Sequence, residues 1–262
     1  MRTLALLSVF TLLSVPVWPQ GKPAAPKTTA VPRLPDGKPD FSGIWIGGGP
    51  VADLAAGLRE GETIPLLPAA EKIMKARLAQ DDPEANCLPT GVPRQAPYPW
   101  TFATAPGRLY ILFEGNIHSY RQIFMDGRAH PKDLNPTWYG HSVGRWEGDT
   151  LVIDTVGFND KFWFDFRGHP HTEQLHTVER YTRKEFGKLT NEITIQDPGA
   201  YSKPFTVTFT ANLMPDGEIM EYICQESEQS ARHLRGPAIV PSADTQPGTG
   251  LIPVAPVKPP AK

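Results

Sequence analysis

Cysteine is scarce: Cys87 and Cys224 are the only two in 262 residues. Neither H-x-x-x-H on a helix nor a compact Cys/His set occurs, so no metal or other cofactor is expected. In an oxidising compartment an even pair of cysteines favours a disulfide, the alternative being two buried free thiols. Basic charge is not in excess either. A net charge of −2 and a pI near 6.4 give no electrostatic footprint for nucleic acid. There is no G-x-S-x-G elbow followed by a helix: in GHSVG the glycines 140 and 144 flank Ser142, but the next segment reads as a strand. No P-loop or dinucleotide fingerprint appears, and IGGG near residue 46 lacks a helix at the right place.

Apolar runs are short. The stretch from Leu4 to about Val17, behind Arg2, is short for a membrane span and right for a signal peptide, the alternative being an uncleaved anchor helix. The expected organisation is a signal peptide over residues 1–20 and a disordered linker over 21–39. A single β-barrel-like domain follows over 40–235, then a disordered proline-rich tail over 236–262. The expected location is periplasmic or secreted, with no stable membrane insertion after signal cleavage and no nucleic-acid partner.

Within the domain, DFSGIWIGGG supplies a short strand, and PAAEKIMKARLAQ a helix with Ile73, Met74, Arg77 and Leu78 on one face. Asp81 to Pro106 is proline-rich and reads as a long ordered loop. Short strands then follow at Leu109–Phe113, His118–Met125, Ser142–Trp146, Thr150–Phe158, Leu175–Arg183, Leu189–Gln196, Phe205–Leu213 and Ile219–Glu226. PFTVTFTANL alternates strictly, with Phe205, Val207, Phe209, Ala211 and Leu213 on one face and threonines on the other. Closely connected strands pair antiparallel, and a meander removes its edges by closing. The predicted fold is mainly β, an antiparallel meander closing into a lipocalin-like barrel with one or two short N-terminal helices. A two-sheet sandwich is the rival.

The segment FMDGRAHPKDLNPTWYGHSVGRWEGDTLVIDTVGFND continues to HTVERY. Its DGR-x-HP, W-x-G-x-S-x-G-x-W-E-G-D-T-L-V and E-R-[FY] motifs resemble a family of exported bacterial proteins abundant in soil-dwelling lineages. The similarity runs from PDFSGIW through CLPTGVPR to EYICQE, and it implies export and a shared fold while supplying no reaction. FSGIW is also similar to the opening of lipocalin-like barrels.

Three constellations stand out. Asp126, Arg128 and His130 in MDGRAHP form either a turn with a local ion pair or a planar donor fork beside an imidazole. Trp138, Tyr139, Trp146, Phe162, Trp163, Phe164 and Phe166, with His141 among them, form either core or the wall of an aromatic pocket. In GHPHTEQLHTVERY, strand parity places Glu179 with Leu175 and Tyr181, and His176 with Arg180 on the opposite face. An inward Glu179 is an internal ion pair or a catalytic carboxylate. The expected ligand contacts are Arg128, His130, Trp138, Tyr139, His141, Trp163 and Arg180. The expected proton carriers, if the pocket is catalytic, are Glu179, His171 and His176. The expected function is binding of a small organic molecule, aromatic, sugar-like or terpenoid-like. The alternative is a metal-independent acid–base lyase, isomerase or hydrolase in the same pocket, and a cell-surface interaction module using the proline-rich tail is the third possibility.

Overall fold

The computed structural model describes residues 30–94, 98–115 and 119–227. The expected leader, the first part of the linker and the tail lie outside them. The nine strands are β1 (Ile44–Gly47), β2 (Trp100–Ala105), β3 (Arg108–Phe113), β4 (Tyr120–Phe124), β5 (His141–Glu147), β6 (Thr150–Val156), β7 (His176–Glu185), β8 (Lys188–Gln196) and β9 (Phe205–Met214). They hydrogen-bond in chain order, and β9 returns to β1, so the sheet closes into a barrel as expected.

All neighbours are antiparallel except β4 and β5, which pair in parallel at Ile123↔Ser142 and Phe124↔Val143. A parallel pair needs a long crossover. Residues 125–140 supply it, lying over the outside of the barrel, and the antiparallel meander has this single departure among the described residues. Trp100–Ala105 is a strand, not loop as its proline-rich surroundings suggested, because Trp100 and Phe102 alternate into the core and the turn before Arg108 returns the chain antiparallel. Ile219–Glu226 is not a strand; it ends in a helical turn at Cys224–Ser227.

Period-two patterning sets the two faces. On β6, Leu151, Ile153 and Thr155 point inward, and on β7, Thr177, Glu179, Tyr181 and Arg183 do, all of them buried. On β9, Phe205, Val207 and Ala211 are buried and Thr208 is exposed, while Phe209 is only half-buried, packed beside Gly57. The β5–β6 turn needs a positive φ, which Gly148 provides at 60°.

One core cluster joins Trp45, Trp100, Phe102, Ile111, Ile153 and Tyr181 inside the barrel. A second joins Phe158, Phe162, Phe164, Leu175, Tyr201 and Val207, with Leu54 and Val92 from the connecting segments. Helix α1 (Pro68–Ala76) is peripheral: Ala70 is its buried residue, and Ile73 is 52% exposed. No helix among the described residues is long and apolar enough to cross a membrane. Cys87 and Cys224 form a disulfide with a Cα–Cα distance of 5.7 Å across 137 residues. Arg33 reaches Asp149 in the β5–β6 turn through two hydrogen bonds of 2.9 and 2.6 Å, which holds the end of the expected linker against the barrel.

Candidate functional site

The crossover is the structural source of the site. Thr137 N–H donates to Gly157 O and Asn159 N–H to Thr137 O, which ties the crossover to the end of β6. Gly157 has a φ of 75°, and a Cβ there would stand 2.9 Å from Leu134, so the close approach requires glycine. Between the crossover and the outer face of β4 lies a cleft of about 470 Å³ walled by Tyr120, Gln122, Phe124, Trp138, Tyr139 and His141. The aromatic wall is held from behind. Tyr139 stacks on buried Phe113 with ring centroids 5.7 Å apart, and its hydroxyl shares a 2.5 Å hydrogen bond with Ser119. Burial pushes the Tyr139 phenol up to about 12, so it stays neutral.

His141 stacks on Phe124 at 5.0 Å and opens a line of polar groups that leads away from the cleft. Its Nδ1 lies 2.8 Å from Nδ1 of His130, whose Nε2 lies 3.0 Å from Asp154 Oδ1; the same oxygen is 2.9 Å from His176 Nε2. These groups come from the crossover and from the outward positions of β5, β6 and β7. The Asp154 contact raises the His176 pKa and lowers that of Asp154. Burial, then the neighbouring His130 and Arg128, lower the pKa of His141.

The expected residues divide into groups. His130, Trp138, Tyr139, His141 and His176 gather at the cleft or directly behind it. Arg128 stands at the rim, its guanidinium 3.9 Å from the Phe124 ring centroid, but its fork is taken by Asp126 at 2.5 to 3.0 Å, as in the turn-and-ion-pair alternative. Arg180 is on the outer surface and pairs with Glu147 at 2.8 Å. Trp163 is buried beneath the Arg77 guanidinium at 4.7 Å.

The expected proton carriers are separated. His176 faces out, whereas Glu179 faces in and pairs with Arg121 at 2.5 Å, also accepting from Tyr181 at 3.1 Å. Arg121 in turn donates to Ser142 at 3.0 Å and Thr155 at 2.7 Å, which makes this an internal polar layer spanning four strands. His171 packs against Phe162 and Phe164, 3.8 and 5.1 Å between centroids, and desolvation lowers its pKa to about 4.

The expected contacts and proton carriers included neither Asp154 nor Phe124. Asp154 had a readable signal, since it is the one carboxylate at an outward position in TLVIDTV. Its union with His130 depends on the crossover and had none. Asp53, Asp165 and His169 bring possible ligand atoms within 4.8 Å of one another. Their oxygens and nitrogen are already engaged: Asp165 accepts from Leu54 N–H and from the His169 N–H and ring, and Asp53 accepts from Ala55 N–H and Arg167. That set clamps the end loops together.

By architecture this is a closed nine-stranded barrel with a cleft outside the barrel, under a parallel crossover. No protein-family model, no curated protein and no solved structure matches the chain.

Proposed function

We propose that this is an exported barrel protein that binds a small, partly aromatic organic molecule in the cleft under the 125–140 crossover. The observation that carries the reading is the convergence of Tyr120, Phe124, Trp138 and Tyr139 with one imidazole, His141, on a cleft of about 470 Å³. That volume lies within the range of small-molecule sites, and a mostly apolar wall with few polar groups is their usual chemistry. The apolar leader and the Cys87–Cys224 bridge support export. The test is native mass spectrometry of protein recovered from its own periplasm. A co-purifying compound of a few hundred daltons is expected, and it is lost in Trp138→Ala. Retention by that variant would place the compound elsewhere.

The imidazole–carboxylate line favours one second reading, acid–base catalysis at the same cleft. His141 is then the group that meets the substrate, with His130 and Asp154 as positioning residues; Glu179 and His171 have no part in it. Recovery of a chemically altered compound, with turnover reduced at least about a hundredfold in His141→Phe, separates this reading from binding.

A further inference from the structure

The protonation of His141 is dictated from behind the cleft. A carboxylate accepts hydrogen bonds and does not donate them. Both His176 Nε2 and His130 Nε2 therefore donate to Asp154 Oδ1, at 2.9 and 3.0 Å. Asp154 carries one negative charge, and His176 takes the compensating proton. A second imidazolium at His130 would have no carboxylate of its own and would share the site with His141 and with Arg128, whose charge Asp126 already neutralises. His130 thus donates through Nε2 alone, which leaves its Nδ1 as an acceptor.

The 2.8 Å contact between the two Nδ1 atoms then has only one possible donor, His141. A neutral imidazole protonated at Nδ1 has a lone pair at Nε2. Among the described residues no group makes a hydrogen bond to His141 Nε2, and the ring lines the cleft. An acceptor in such a place selects against ligands that bring only acceptors, because two lone pairs would then face each other.

We propose that the His176–Asp154–His130 line holds His141 as its Nδ1–H tautomer, so that Nε2 is a hydrogen-bond acceptor in the cleft and the ligand class is a hydroxyl-bearing aromatic compound, a phenol or a ring alcohol. The proposal rests on the binding reading above and adds the chemical class. It also assigns a donor-to-acceptor direction to each contact along the line, from His141 to His130 and from both outer imidazoles to Asp154.

The first test needs no ligand. Long-range ¹H–¹⁵N correlation spectra of the full chain, with its disulfide intact, distinguish pyrrole-type from pyridine-type ring nitrogens. At neutral pH His141 is expected to show a protonated Nδ1 and a bare Nε2. In His130→Phe, which removes the acceptor, the ring relaxes toward the Nε2–H tautomer. A wild-type His141 protonated at Nε2 would overturn the proposal even if the variant failed to fold.

The second test uses three probes of one shape: 2-naphthol, its methyl ether and 2-naphthoate. The naphthol is expected to bind at least about tenfold more tightly than the ether, the net effect of one hydrogen bond made against one lost. The naphthoate is expected to bind no better than the ether. In His141→Phe, which keeps a ring against Phe124, the preference of naphthol over ether falls below about twofold. Equal binding of naphthol and ether by the wild type overturns the ligand class and leaves the cleft reading intact. Binding of none of the three overturns both.

Discussion

Strands β5, β6 and β7 carry two polar systems, one on each face, built from adjacent residues. His141, Asp154 and His176 point outward, and their immediate neighbours Ser142, Thr155 and Thr177 point inward. Inside, the groups are buried: Glu179 pairs with Arg121, which also holds Ser142 and Thr155. Outside, His130, Asp154 and His176 keep roughly a quarter to a third of their side-chain surface in water, 23%, 26% and 36%. Burial removes hydration and makes each internal polar contact obligatory for stability. Partial exposure leaves the outer imidazoles and Asp154 in contact with water. Polar chemistry of similar composition is sealed in the core on one face and reached by water on the other.

The sharpest way to break this comparison is to remove one charge from each face. Glu179→Gln leaves Arg121 as an uncompensated buried charge and is expected to destabilise the fold by about 3–5 kcal/mol in urea denaturation. Replacing both, as Arg121→Met with Glu179→Leu, is expected to recover much of that loss. If Glu179→Gln cost no more than an outer-face variant, the inner layer would be hydrated and the contrast would fail.

Opening the Cys87–Cys224 bridge tests a constraint that belongs to neither face. Because it closes a long loop, the double serine variant is expected to lose about 2–5 kcal/mol. Intact mass of the wild type after denaturation without reductant shows no labelled thiol if the bridge is complete.

Two imidazoles sharpen the comparison through pH. His171 has a folded pKa near 4, below its ordinary value of 6.5, so the unfolded chain binds the proton first. Its contribution to acid lability begins as pH falls below about 6.5 and grows until about pH 4, reaching about 3 kcal/mol. Denaturation midpoints in His171→Leu are expected to fall less steeply over that window. His176 has the opposite sign. Its folded pKa is raised by Asp154, so its stabilisation is fully present below the unfolded value and is lost as pH rises through the folded one.

The smallest effect belongs to the Asp154–His176 pair. Asp154 has a lowered folded pKa, so its share of the stabilisation is present above its unfolded value and is lost as pH falls through the folded one. The pair therefore acts between the Asp154 and His176 titrations. Both side chains are partly exposed, so Asp154→Asn is expected to cost less than about 1 kcal/mol there. A loss comparable to that of Glu179→Gln would make the outer line structural as well.

Much of the fold was legible because period-two patterning is local. The alternation in PFTVTFTANL and the parity of Glu179 against His176 both follow from a chain that sends successive side chains to opposite faces. The same rule failed at Phe209, where parity named the face and the depth of burial depended on packing beside Gly57. It also failed at Trp100–Ala105, whose apolar residues were hidden among prolines. Of the site, the aromatic and imidazole residues 130, 138, 139 and 141 were visible as a chemically dense stretch. The sequence left Arg128 open between a local ion pair and a ligand fork, and Asp126 takes that guanidinium once the turn has formed.

By itself the sequence determined the period and the faces of the strands, since each depends on neighbours one or two residues away. It also determined that the two cysteines, if they met, would be the only bridge. Which distant residues meet was decided by the tertiary structure alone. The parallel β4–β5 pairing sends residues 125–140 across the outer face, and only that path brings His130 from the crossover onto Asp154 of β6 and His141 of β5. A contact between strands costs the entropy of closing the intervening chain and is set by the whole barrel's register, for which no short window of sequence carries the information.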